Sequence, residues 1–502
     1  MPACQGDTID PADDATQSPR RRLLSFFAGP VTALLFYLLP IPALTGAAHT
    51  LATILIWVVL YWIMEPIPLP VTALLGTAFC VLAGLGTAKT LFASYGHPII
   101  FLFIGSFLLA EAMAVHGIDR KVAAWMLSSS WVGTRPSRIL IALGAATAII
   151  SMWISNTAAT AMMLPIGLGI LSTLRESGER STRYQAGLLL MLSYAATAGG
   201  VATVVGTPPN LIGVGLIAQQ TGTVISFVTW MAFGLPLAVM MLLCAWLLLG
   251  RLHPGPPANP AAHETSPRRP LTMERWSPGE INACVAFGTA VLLWVGPGLL
   301  GAAAGQHHPV VIWLDRHLPN ELVALLAAGL LFVLPIDRHF SRFTLTWKQA
   351  SNINWGIILL FGGGLVFGEL MLKTGLSDAI GKGFVDLFGK PTLWSLTAVS
   401  IVAGVLISEL ASNTASASML VPLVIAIAEA DGVPALPPAL GATLGASLGF
   451  ALPVSTPPNA IVYGTSLIPM ATMIRAGLAF DFVGAVLIWL ILRVVCPLIG
   501  LV

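Results

Sequence analysis

The chain has 502 residues, 56% of them hydrophobic and 9% charged, with a formal net charge of +2. Soluble globular domains carry about 25% charged residues, so this composition excludes one, and no basic stripe interleaved with aromatics suggests a nucleic-acid partner. Apolar runs close to the roughly 20 residues of a bilayer-spanning helix recur from Leu23 to the C-terminus, which makes the chain an all-α polytopic membrane protein.

In chain order, residues 1–22 read as a disordered tail that Arg20-Arg21-Arg22 holds in the cytoplasm. The apolar run that follows is too long for a signal peptide. Spans are expected near 23–40, 50–64, 71–88 and 99–117, then a hairpin over 139–172. Further spans fall near 185–218 and 226–250. Residues 251–277, rich in proline and charge, form a cytoplasmic linker. The second half, 278–502, brings spans near 279–300, 320–335 and 355–372, a hairpin over 392–428, and spans near 439–470 and 476–502. The five cysteines, Cys4, Cys80, Cys244, Cys284 and Cys496, are scattered and read as unpaired packing residues.

If both hairpins enter and leave on one side, about eleven transmembrane helices remain. With the N-terminus inside, 18 of the 24 lysines and arginines then lie in inner loops. That bias supports this topology over its inverse and puts the C-terminus outside.

Two internal matches organise the chain. Ser155-Asn156-Thr157-Ala158 returns as Ser412-Asn413-Thr414-Ala415, 257 residues on, with six of eleven positions identical over 155–165 and 412–422. Thr207-Pro208-Pro209-Asn210 returns unchanged as Thr456-Pro457-Pro458-Asn459. A third block, Gly105 to Ile118, parallels Gly363 to Leu376. Five spans separate the two Ser-Asn-Thr segments, so the halves, 23–250 and 278–502, have opposite orientations. Such an inverted repeat places a site near the membrane midplane, where the two hairpin tips meet.

Polar residues in mid-membrane are expensive and mark sites or pathways. The Asn oxygen and free carbonyls of a hairpin tip suit a hard cation, while the Asn amide, the Thr hydroxyl and a helix N-terminus suit an anion. Their alternative role is interhelical hydrogen bonding. Thr-Pro-Pro-Asn breaks a helix and frees carbonyls, at 206–210 and again at 455–459. Glu65, Glu111, Glu369 and Glu409 lie in or beside apolar runs and read first as caps or hydroxyl partners. Gly445-Ala446-Ser447-Leu448-Gly449 fits a nucleophile-elbow pattern. No strand precedes it, however, and Gly441, Gly445 and Gly449 read as close helix packing. An intramembrane serine hydrolase is therefore a remote reading, and a channel is disfavoured because polarity is confined to two tips.

The stretches MWISNTAATAMMLP, VVGTPPN, ELASNTASASMLVP and VSTPPNA resemble the divalent anion:sodium symporter family, whose members carry dicarboxylates, citrate or sulfate. The resemblance runs from about residue 30 to the end. It implies a homodimer in the cell (inner) membrane, not an enzyme, that moves a transport domain like an elevator and uses Na+ as coupling ion. By position it implies one sodium site at Ser151, Ser155, Asn156 and Gly206, and a second at Ser408, Ala411, Asn413 and Ser455. Substrate would lie against Asn156, Thr157, Thr207, Asn413, Thr414, Thr456 and Pro457. The expected cargo is a small divalent anion of the succinate, malate and fumarate class; a sodium-independent exchanger, or a citrate or sulfate carrier, is the alternative.

Overall fold

The structure, a computed structural model, describes residues 19–129, 131–133, 135–176, 181–255, 275–305 and 307–502. The described residues are helical apart from turns and one isolated bridge between Pro335 and Phe343. Among them, eight helices are long and apolar enough to cross a membrane, and four shorter apolar helices accompany them. The first helix, Pro19–Leu38, takes in Arg20, Arg21 and Arg22, which the sequence reading put in the tail. Residues 1–18 and most of the expected linker lie outside the described residues. Outward-facing Leu23, Leu24, Leu34, Leu35 and Leu38 are exposed, as lipid-facing side chains are.

Each expected hairpin is a pair of helices. Pro136–Ser151 and Asn156–Glu176 join through residues 152–155, and Leu393–Leu410 and Asn413–Ala430 join through Ala411 and Ser412. Proline opens the first helix at its N1 position and Thr392 caps the third with a capping box.

The spans expected at 185–218 and 439–470 are each two helices. Thr182–Gly200 stops at Gly200, and Pro208–Thr221 begins after a non-helical stretch, 201–207. Leu436–Gly445 stops at Gly445, and Pro457–Tyr463 begins after 446–456. The breaks are therefore longer than 206–210 and 455–459 and lie mostly ahead of them. The prolines occupy the first two positions of the resuming helix, where a missing N–H costs nothing.

The broken helices form the centre of the molecule. Every residue from Tyr184 to Gly200, and from Pro437 to Gly445, is buried. A helix apolar on all sides belongs inside a bundle. Small residues let it pack backbone to backbone: a Cβ on Gly445 would stand 2.6 Å from the Ile401 carbonyl oxygen. Gly441 likewise packs on Ile401 and Thr397. Gly449 departs from the packing reading, because it lies in the break with a φ of 155° that side chains rarely adopt.

The halves interlock. Pro208–Thr221 packs on Asn413–Ala430, and Pro457–Tyr463 packs on Asn156–Glu176. Each resuming helix thus lies against the hairpin of the other half. The long helices Phe227–Leu252 and Met470–Leu498 back the breaks. Trp230 donates to the Val201 carbonyl at 3.0 Å, and Phe480 stacks on Tyr194 beside Phe450.

The paralleled third block also has a structural counterpart. Gly117 and Gly375, at φ 68° and 74°, each end a long helix and open a short one, Ile118–Leu127 and Leu376–Phe388. Neither short helix is legible as a span, because they run only 10 and 13 residues and each carries three charged residues.

Candidate functional site at two hairpin tips and two helix breaks

The two tips carry the same hydrogen bond. Ser151 Oγ donates to Asn156 Oδ1 at 2.8 Å, and Ser408 Oγ donates to Asn413 Oδ1 at 2.7 Å. Both serines are fully buried, and both asparagines are half-buried at the start of the returning helix. The bond orients each amide so that its oxygen shares the tip with a hydroxyl.

The breaks also match. Asn210 Nδ2 donates to the carbonyls of Gly200 and Thr203, at 2.9 and 2.8 Å. Asn459 Nδ2 donates to Gly449 and Leu452, at 3.0 and 2.9 Å. The last residue of each Thr-Pro-Pro-Asn is thus a clamp that satisfies carbonyls the broken helix leaves open. The sequence reading did not assign these two asparagines; their recurrence in both copies was the available signal. Asn210→Ala leaves two buried carbonyls without this donor, at roughly 1–3 kcal/mol each. The expected outcome is a clearly lower thermal unfolding midpoint for the purified variant, and an unchanged midpoint would contradict the clamp.

Tip and break meet in each half. In the first, a Cβ on Gly200 would overlap Asn156 Oδ1, and one on Gly206 would stand 2.5 Å from the Gly200 carbonyl oxygen and 3.0 Å from that of Met152. Ser151, Asn156 and Gly206 therefore share one pocket of oxygen atoms with Gly200 and Met152. Ser155 contributes differently: its Oγ accepts the Ala158 N–H and caps the returning helix. In the second half, the Ala446 carbonyl shares the one Ser408 hydroxyl hydrogen with Asn413 Oδ1, and Asn413 Nδ2 donates to the Ser447 carbonyl at 3.3 Å. A Cβ on Gly449 would stand 3.3 Å from Ser408 Oγ and 3.4 Å from Ser455 Cβ, so Ser408, Asn413, Gly449 and Ser455 are neighbours. Ser455 Oγ is spent on the carbonyls of Leu452 and Gly449. Ala411 is buried at the turn.

Of the residues expected to line an anion, Thr207 and Thr456 are buried at the N-caps of the resuming helices. Thr456 Oγ1 accepts the Asn459 N–H, while Thr207 makes no capping bond. Thr157 and Pro457 are exposed, and Thr414 is partly so.

Every donor here is a hydroxyl, an amide or a carbonyl. Among the described residues, no group of three His, Cys, Asp or Glu forms a metal-binding cluster. Neutral oxygen atoms crowded around glycines suit a hard monovalent cation rather than a transition metal.

The acidic residues resolve into distinct roles. Glu65 ends a helix in the left-handed region at φ 47°. Glu369 pairs with Lys373 and accepts from Ser94 Oγ. Glu409 acts as an internal cap, accepting the N–H groups of Ala451 at 2.8 Å and Leu452 at 3.2 Å. Asp481, on Met470–Leu498, is buried beside Glu409 and was missed from sequence, although it stands alone inside the apolar stretch GLAFDFVGAVL. Ser447 follows a helix rather than a strand, and its backbone serves Asn413.

A helical bundle with two broken helices, each break set against a hairpin tip and partner helices exchanged between halves, is the architecture of a secondary transporter. Comparisons with known proteins give its family. The family described as "Sodium:sulfate symporter transmembrane region" matches residues 20–501, and the chain belongs to it: it is a multi-pass membrane transporter of the divalent anion:sodium symporter group, not an enzyme. Similar proteins include the sodium-dependent dicarboxylate transporter SdcS of Staphylococcus aureus strain bovine RF122 / ET3-1. That protein is 30% identical over 492 residues, 95% of this chain and 92% of its own length. The YdaH transporter of Alcanivorax borkumensis shares the fold at a TM-score of 0.57 and 14% identity, over 82% of this chain and 88% of that one. MtrF of Neisseria gonorrhoeae does so at 0.52 and 13%, over 83% of each.

Proposed function

We propose that the protein is a sodium-coupled carrier of C4-dicarboxylates, in which cations at the two tips complete the site for the anion. One observation carries this reading: no lysine or arginine occurs in either Ser-Asn-Thr or Thr-Pro-Pro-Asn block, yet the blocks converge on pockets of oxygen atoms. Two helix N-termini supply about half an elementary charge each, too little for a dianion. Sodium at Ser151, Ser155, Asn156 and Gly206, and at Ser408, Ala411, Asn413 and Ser455, would supply the rest. The anion would then lie against Asn156, Thr157, Thr207, Asn413, Thr414, Thr456 and Pro457. The Staphylococcus aureus relative, a sodium-dependent dicarboxylate transporter, supports both the ion and the substrate class.

Uptake of a labelled panel (succinate, malate, fumarate, citrate, sulfate) into proteoliposomes, with and without a sodium gradient, tests this reading. Sodium-driven succinate uptake is expected. Uptake only against internal dicarboxylate, indifferent to sodium, would make the protein an exchanger, and preference for citrate or sulfate would correct the substrate.

Alternating access in this reading is an elevator movement of the hairpins and broken helices against the remaining helices of a homodimer. The halves, 23–250 and 278–502, are taken as inverted, with the N-terminus cytoplasmic and the C-terminus outside. Arg183 is exposed just after the first hairpin, at the start of Thr182–Gly200, and Lys390 is exposed just before the second hairpin. A single cysteine replacing Arg183 is expected to label only from the cytoplasm, and one replacing Lys390 only from outside. Labelling of both from one side would contradict the inversion.

A further inference from the structure

We propose that Thr203 and Glu409 are matched positioning residues, each tying the helix break of its half to its own hairpin tip and so setting the spacing of the cation-facing oxygen atoms. The inference rests on the sodium reading above. It starts from an asymmetry inside an otherwise repeated hydrogen-bond pattern. The tips superpose at an offset of 257, which pairs Met152 with Glu409. The breaks superpose at 249, which pairs Thr203 with Leu452.

The same two positions are tied in both halves, by different chemistry. In the first, Thr203 Oγ1 in the break donates to the Met152 carbonyl at the tip, at 2.6 Å. In the second, the tip supplies the acceptor: Glu409 takes the N–H of Leu452, and that of Ala451 beside it. Leu452 has no hydroxyl to donate and Met152 has no carboxyl to accept, so each residue type fits only its own half. Each tie also borders the clamp. Thr203 and Leu452 are the residues whose carbonyls Asn210 and Asn459 hold, and Glu409 follows Ser408, which holds Asn413 Oδ1. Loosening a tie therefore lets the carbonyls of Gly200 or Gly449 drift from the Asn156 or Asn413 oxygen.

Among the described residues, the hydrogen bonds of Thr203 Oγ1 and of the Glu409 carboxylate go to Met152, Ala451 and Leu452 rather than to an anion-lining threonine, so their effect should fall on cation binding. Thr203→Val keeps the shape and deletes the donor. Glu409→Gln replaces one acceptor oxygen with an NH2 group, which cannot receive either N–H.

The test uses the full-length purified protein without substrate. Its thermal unfolding midpoint is measured against sodium concentration, with choline holding ionic strength constant. The wild-type midpoint is expected to rise with sodium. In Thr203→Val and in Glu409→Gln, half of that rise should require about tenfold more sodium, the size of effect expected from losing a buried hydrogen bond. The midpoint in choline should fall by no more than a buried hydrogen bond costs, the sodium response being read against each variant's own choline midpoint, and Thr203→Ser, which restores the hydroxyl, should restore the sodium response. If Glu409→Gln does not fold, Glu409→Asp, one methylene shorter, reads the same shift. Wild-type sodium responses in both variants, or lower midpoints in choline with the sodium response intact, would overturn the positioning role. No sodium-dependent rise in the wild type would instead overturn the sodium reading itself.

Discussion

Asn156→Ala and Asn413→Ala are each expected to abolish uptake while leaving the protein folded. Each asparagine oxygen is fixed by a buried serine hydroxyl at a hairpin tip. Each lies where the tip meets the break, beside Gly200 in one half and Ser408 and Ser447 in the other. In the proposed function the oxygen replaces part of the cation's water shell and the amide contributes to the anion's. Truncation removes both at once. Hydrogen bonds involving charged groups contribute about 1.5–3 kcal/mol each, so losing two should slow uptake about 100-fold or more. The folding cost should be smaller, because both side chains are half-buried and begin a helix rather than fill a core. Initial uptake rates of labelled succinate at equal reconstituted density provide the measurement, with a melting curve to show that each variant is folded. Wild-type uptake by either variant would remove that tip from the site. Loss in one variant only would limit the site to a single half.

Much of this site was legible in the sequence, for a physical reason. A polar trio and a Pro-Pro break are costly in a membrane, so their appearance twice in the same order stands out against the apolar background. The serines at 151 and 408 came only through resemblance, and the structure gives them the same bond in both halves. The extent of the breaks was less legible. Thr-Pro-Pro-Asn marks where a helix resumes, and little in Gly199-Gly200-Val201 or Gly445-Ala446-Ser447 announces where the preceding helix stops. The clamp of Asn210 and Asn459 and the tie of Thr203 and Glu409 are contacts between segments distant in sequence or across a break, so no local pattern encodes them. Hydropathy passed over Asp481 because one carboxyl scarcely changes the mean over a run of 29 residues. It also merged the two halves of each broken helix, since 201–207 and 446–456 are as apolar as the helices they interrupt.

The second large effect concerns the cation. Moving a dianion from water into a membrane protein costs many kcal/mol unless charge is supplied, and the four motif blocks contain no lysine or arginine. Sodium at the tips should therefore bind first, order the oxygen pockets and tighten the anion. Linkage requires the anion to tighten sodium by an equal free energy. Lithium, smaller and more tightly hydrated, should substitute poorly. The most direct measurement is the succinate affinity of the purified protein in sodium and in choline at constant ionic strength. The account predicts an affinity that climbs with sodium concentration, by about tenfold for each 1.4 kcal/mol of coupling. Equal affinity in the two salts would contradict it, and the positive charge for the anion would then have to come from a side chain outside the four motif blocks.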